Sequence, residues 1–311
     1  MNIGIESILT YIPEGKMEVP EFYKRLNEDY DYIKTDEEID FFMNTSRYKQ
    51  VVYEEKRSRV EMLDAFFSTI GSQYDCGEFD YVIFSTDIPE CTLDKKVYQL
   101  YFLKKYGFVN ANYFTIIQQC GTQINAFVIA GSLINSGRAK KILIVSHSYK
   151  NNIKSRLLEG YGIIGDGVVG IVVAQDTEQL QFIDSYTKTN GEFYDLNTTP
   201  KEGMAYYQYL YNGVESINTL LHKNNISIKD VKLIIHQNVS ALEWDFYCPR
   251  LKCSKEQVYL KNISRYGHLG DADAFINLKD AIDEGGLSKG DIVLVQSVGA
   301  GATFNSLLLK Y

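Results

Sequence analysis

The sequence predicts an α/β fold built from two similar halves. Continuous apolar, β-branched runs at Tyr81–Ser85, Phe114–Ile117, Ile142–Ser146 and Val168–Ala174 read as strands buried on both faces by covering helices. Between the second and third runs, Ile124, Phe127, Val128, Gly131 and Ile134 recur at helical spacing and mark a helix with one buried stripe. The same grammar then returns. Val231–Ile235 resembles the Tyr81 run, Ile292–Gln296 resembles Ile142–Ser146, and Leu307–Leu309 closes the chain as a strand. The predicted halves are residues 1–178 and 179–311. No Pro- or Ser-rich linker separates them, so they are expected to share one core.

The remaining elements follow in order. Tyr30–Asp40 and Tyr53–Arg59 are dense in charge and read as solvated helix faces. Gly137, followed by Arg138, Lys140 and Lys141, is a helix stop. Ala205–Leu221 supplies a helical segment ahead of the Val231 strand, and Ala272–Ile282 another ahead of the Ile292 strand.

Composition narrows the class. Of 311 residues, 45 % are hydrophobic and 23 % charged, which is ordinary for a globular protein. A chain of this length buries about 75 % of its unfolded surface and needs no staples. The net charge of −8 argues against nucleic-acid or anionic-membrane binding. No stretch approaches the roughly 18 apolar residues of a membrane span, and the first residues carry no readable signal peptide. Five cysteines (Cys76, Cys91, Cys120, Cys248 and Cys253) are an odd number without framework spacing, which fits a reducing cytoplasm. The N-x-S/T triplets at Asn44, Asn197, Asn225, Asn238 and Asn262 then carry no meaning for glycosylation.

Cys120 is the most informative residue. It follows the Phe114–Ile117 strand by a tight turn and opens the amphipathic helix, as a nucleophile elbow does. The N–H groups of a helix start favour a thiolate, and the Cys120 N–H would face an oxyanion formed on an attacked carbonyl. The plain alternative is a small buried hydrophobe. Of the four histidines, His236 ends the Val231–Ile235 strand at the edge where α/β sheets collect ligands. His268 lies in a Gly-flanked turn before the Ala272 helix. The two are candidate partners for a thiol, or else satisfied structural residues. His147 and His222 read as structural. Gly299-Ala300-Gly301 could bring backbone N–H groups close to a substrate carbonyl, or could simply turn a hairpin. Gly160, Gly162 and Gly165 spell a literal G-x-G-x-x-G, but they precede a strand rather than open a helix, so a nicotinamide site is not predicted. Cys248-x4-Cys253 and Asp271/Asp273 lack the further ligands of a metal site.

Together these segments resemble the β-ketoacyl-acyl-carrier-protein synthase III group of the thiolase superfamily over nearly the whole chain. Ile3–Glu14 looks like the group's first strand and turn, and Cys120 falls where its nucleophile sits. Ile164–Gly170 looks like its glycine-rich strand entry. His236-Gln237-Asn238 resembles its His-Gln-Ala-Asn segment, Arg265-Tyr266-Gly267-His268 its Arg-Tyr-Gly-Asn segment, and Val298–Leu309 its last glycine turn and strand. The resemblance implies a thiolase-like, duplicated five-layer αβαβα sandwich. It also implies a dimer, usually of identical chains, with acyl-coenzyme A or acyl-carrier-protein thioesters as substrates and no permanently bound cofactor.

The implied mechanism moves an acyl group onto Cys120, with the oxyanion on the N–H groups of Cys120 and Ala300. A malonyl-type thioester then loses carbon dioxide, its enolate held by His236 and His268, and attacks the acyl-cysteine. Gly299, Asn238 and Arg156 are the expected substrate contacts, Arg156 meeting phosphate. Three departures stand out. His268 replaces Asn and could act as a base, which would allow ester or amide formation instead. The group's coenzyme A-binding Trp and Arg are missing: Asp40 and Asn44 fall about there, and the one Trp is Trp244. Asn238-Val239 replaces Ala-Asn. These departures point to a specialised-pathway paralogue. A silent subunit of a heterodimeric synthase is the third reading.

Overall fold

The structure, a computed structural model, describes residues 3–86, 96–158, 161–194 and 203–311. Cys91, Gly160 and Asn197 lie outside the described residues. From edge to edge, a ten-stranded sheet runs Val258–Tyr259, Val231–Ile235, Ile292–Gly299, Thr303–Lys310, Leu180–Thr189, Ile3–Tyr11, Gly167–Gln175, Lys141–Ser148, Tyr81–Thr86 and Asn112–Ile117.

This order contains one five-strand pattern twice. Counted along the chain within each set, the strands lie third, second, fourth, fifth, first from the outer edge inward. In both sets the third, second and fourth run parallel, and the fifth is antiparallel to its two neighbours. The two first strands meet at a short antiparallel seam, Gly4 opposite Gln181 and Ile5 opposite Leu180.

Side-chain alternation along the strands makes the layers. Ile142 and Ile144 point to one face, with Val293, Val295 and Leu307 from the other set. All join Ile124 and Phe127 of the helix Thr122–Asn135 and Phe275 and Leu278 of the helix Asp273–Asp283. These two helices form the middle layer. Leu143 and Val145 point the other way, onto Phe66, Phe67 and Phe102 of an outer helix layer. Leu294 and Leu308 likewise meet Ile217, Trp244 and Tyr247. With each half of the ten-stranded sheet as one layer, the result is helix, sheet, helix, sheet, helix, the predicted thiolase-like fold. Burying one such aromatic or aliphatic side chain is worth about 1.5–3 kcal/mol.

Two expectations are corrected. The Phe114–Ile117 run is not buried on both faces. It belongs to the edge strand Asn112–Ile117, where Thr115 and Ile117 are exposed, because no further described strand covers that side. Tyr53–Arg59 is not a helix face. It leaves the short strand Gln50–Tyr53 as a loop and ends at the capping box of Ser58 and Glu61, which starts the helix Arg59–Gln73. Among the described residues no helix is long and apolar enough to cross a membrane.

Candidate active site

Cys120 stands on a sharp bend between the edge strand and the middle-layer helix. Gln119 holds the left-handed conformation, φ 55°, which costs a non-glycine residue about 1–2 kcal/mol. Thr122 clamps the bend: its Oγ1 accepts from Gln118 N at 2.7 Å and donates to Gln119 O at 2.6 Å. The residue after the cysteine must be glycine. A Cβ on Gly121 would lie 2.5 Å from Asn305 Nδ2 and 2.9 Å from Gly299 N. The C-terminal glycine turn therefore presses directly on the cysteine bend. Gly299 is buried there, while Ala300 is exposed at the turn.

His268 reaches the same place from the other half of the sheet. Its loop is pinned by His268 N donating to Ile163 O at 3.0 Å and Gly165 N donating to His268 O at 2.8 Å. Its Nε2 lies 3.5 Å from Cys120 Sγ, and its Nδ1 lies 2.5 Å from Asp273 Oδ2. Burial alone would lower the imidazole pKa, but the Asp273 carboxylate and the Cys120 sulfur outweigh it and raise it well above the ordinary value. This favours the imidazolium form of His268, in which one N–H meets the carboxylate and the other faces the sulfur.

Asp273 opens the helix Asp273–Asp283 and is fully buried. Besides His268 it accepts from Leu269 N at 2.7 Å, Asn238 N at 2.7 Å and Asn238 Nδ2 at 3.0 Å. Asn277 Nδ2 donates to Asn238 Oδ1 at 2.9 Å and to His236 O at 2.6 Å, and Tyr48 donates to Asn238 O. Gln237 bridges to the first half: its Nε2 donates to Cys120 O at 2.7 Å and its Oε1 accepts from Val298 N at 2.7 Å.

His236 is buried at the end of its strand. Its Nδ1 lies 3.1 Å from Gln237 O. A carbonyl only accepts, so Nδ1 carries the proton and Nε2 of the neutral ring carries a lone pair. Burial pushes this imidazole down to about 4. Nε2 has no hydrogen-bond partner, and Glu243 Oε2 is 3.9 Å away.

Cys120, His236, His268 and Gly299 are therefore brought into one neighbourhood. Two expected substrate contacts are corrected. Arg156 is not free to meet phosphate: it is 4 % exposed, and its two terminal nitrogens are held by Asp166 at 2.8 and 2.7 Å, Ile164 O and Lys150 O. Asn238 is 1 % exposed and spends its side chain on Asp273 and Asn277, so it braces His268 rather than facing substrate. Sequence reasoning missed Asp273, Glu243 and Gln237. Only the spacing of Asp273, five positions after His268 on an incoming helix, offered a signal.

Residues 221–311 match the family described as 3-oxoacyl-[acyl-carrier-protein (ACP)] synthase III, C terminal. A β-ketoacyl-[acyl-carrier-protein] synthase III of Clostridium novyi is 21 % identical, with 100 % of this chain and 99 % of that protein covered. One from Campylobacter jejuni (strain RM1221) is 25 % identical, covering 100 % and 98 %. The chain is a synthase III-like protein of the thiolase superfamily. This family is one of condensing acyltransferases, and the chain is an enzyme of that class. The crystal structure of 3-oxoacyl-[acyl-carrier-protein] synthase III from Aquifex aeolicus superimposes with a TM-score of 0.81 at 20 % identity, over 99 % of this chain and 100 % of that one. That likeness covers the sheet order and layers described above.

Proposed function

We propose that this synthase III-like protein takes an acyl group from a coenzyme A or carrier-protein thioester onto Cys120. It then joins that group to a decarboxylated malonyl-type thioester in a specialised lipid, polyketide or secondary-metabolite pathway. The observation that carries the reading is the line Cys120 Sγ, His268, Asp273, with steps of 3.5 and 2.5 Å. Sulfur gains negative charge when it leaves the acyl group, and the imidazolium facing it, backed by Asp273, offsets that charge. The N–H groups of Cys120 and Ala300 receive the tetrahedral oxyanion, each worth roughly 3 kcal/mol. In this reading residues 1–178 supply the nucleophile, and residues 179–311 supply both imidazoles and Ala300. The edge of the Asn112–Ile117 strand, which no other described strand pairs, supports a dimer.

The test is intact-protein mass after incubation with acyl thioesters, followed by carbon dioxide release from a malonyl thioester. An added acyl mass on wild type but not on Cys120→Ser, with carbon dioxide release lost in His236→Ala, is the expected result. No acyl adduct from any coenzyme A or carrier-protein thioester would sink the reading. One observation favours a second reading, ester or amide formation: the lone pair on His236 Nε2 can take a proton from a hydroxyl or amine acceptor. Acyl turnover with no carbon dioxide released would select it.

A further inference from the structure

Enolate stabilisation by His236 needs a hydrogen on Nε2, and the neutral ring's one N–H proton is committed to Gln237 O through Nδ1. The proton has a source nearby. Glu243, the first residue of the helix Glu243–Leu251, places Oε2 3.9 Å from the unpartnered Nε2. Its side chain is 11 % exposed and that of His236 1 %. Trp244 stands edge-on to the imidazole with ring centroids 5.2 Å apart, packing against the ring. We infer that Glu243 is the positioning residue that delivers this proton, a role resting on the condensation reading. As negative charge grows on the enolate oxygen, the Glu243 O–H bond breaks and the His236 Nε2–H bond forms. The imidazolium then donates to the enolate. Once the new C–C bond restores the carbonyl, the proton returns to Glu243. Side-chain movement of about 1 Å closes the gap to hydrogen-bond distance.

The surroundings fit such a reservoir. Burial pushes the Glu243 carboxyl up to about 7, with His268 pulling in the opposite direction. Tyr206 and Tyr209 of the helix Gly203–Lys223 and Tyr247 of its own helix feel its charge. Tyr48 and Tyr161 of the first half feel it as well. Burial raises all five phenols above their ordinary value, so they stay neutral while Glu243 titrates. Asp273 acts on His236 and is engaged by His268 and Asn238.

The test is NMR titration of the full chain with 15N-labelled His and 13C-labelled Glu. At 3.9 Å, ionisation of the Glu243 carboxyl is felt at His236 Nε2. The expected result is a Glu243 carboxyl midpoint near pH 7, with an inflection of the His236 Nε2 shift at that same pH, well above the ring's own protonation near 4. In Glu243→Gln, that inflection at Nε2 is expected to disappear. A wild-type Nε2 shift that shows no inflection at the Glu243 midpoint, or an inflection that persists in the variant, overturns the inference. If the variant does not fold, the wild-type titration alone decides. In activity, Glu243→Gln is expected to lower carbon dioxide release about 10²-fold relative to acyl loading of Cys120. A wild type that loads no acyl group defeats the proposed function, whereas the titration still judges Glu243.

Discussion

Asp273 Oδ2 lies 2.5 Å from His268 Nδ1, on the opposite side of the ring from the sulfur of Cys120. The carboxylate therefore fixes which nitrogen faces the cysteine and keeps that nitrogen protonated. Asp273→Asn keeps the shape but removes the charge. Acyl loading of Cys120 at neutral pH is expected to slow by about 10²-fold, with the loss growing as pH rises. Loading rates from stopped-flow quench and mass spectrometry at several pH values check this. An unchanged rate would show that the pair only braces the fold.

The same pair makes stability depend on pH. His268 is raised above its unfolded value, so its contribution is fully present below about pH 6.5 and is lost as pH rises through the folded value. Urea unfolding from pH 6 upward should give a falling free energy in wild type, and Asp273→Asn should remove that part of the slope. Superimposable pH profiles of the two proteins would contradict the assignment.

Gly121 has no room for a side chain, because a Cβ would meet Asn305 Nδ2 at 2.5 Å and the Gly299 backbone at 2.9 Å. Gly121→Ala forces the C-terminal turn away from the cysteine. Destabilisation of about 1–3 kcal/mol is expected from overpacking, together with slower acyl loading as the turn that presents Ala300 is displaced. Denaturant midpoints and the loading assay measure the two effects separately. A variant of wild-type stability and rate would mean that the turn yields freely.

How much of this was readable depended on whether the signal was local. Ile142–Ser146 and Ile292–Gln296 announced themselves because a strand covered on both faces needs apolar residues at every position. Phe114–Ile117 has the same look yet lies at an edge, since sequence does not say which strand has a neighbour. Cys120 and His268 were found because turns with small residues mark them. Asp273 and Glu243 were not, because their meaning lies in what they face across the fold: a ring nitrogen 2.5 Å away in one case and 3.9 Å in the other. Arg156 misled for the opposite reason. A basic residue in a polar stretch suggests a phosphate contact, and only its burial against Asp166 shows otherwise.

Asn238 offers a way to separate bracing from binding. It gives two hydrogen bonds to Asp273 and accepts one from Asn277, all buried. Asn238→Ala leaves buried polar groups unmatched and should cost about 1–3 kcal/mol of stability. It should lower kcat through a misplaced His268 while leaving the thioester KM nearly unchanged. A raised KM with intact kcat would instead return Asn238 to the substrate.

Arg156 and Asp166 form an ion pair with side chains 5 % and 0 % exposed, N to O 2.7 Å. Removing one partner strands a charge away from water, a loss of about 3–5 kcal/mol, whereas replacing both by apolar residues of similar volume is often neutral. Asp166 also accepts from Glu54 N and Lys150 N at 2.8 and 2.9 Å, so the double replacement leaves two donors to be satisfied and should recover only part of the loss. Arg156→Met is therefore expected to lower the denaturant midpoint sharply, and Arg156→Met with Asp166→Leu to regain some of it. Thioester KM in whatever folded fraction remains should stay close to wild type. A stable Arg156→Met protein with a raised KM for coenzyme A thioesters, and a normal KM for pantetheine thioesters, would restore the arginine to the phosphate.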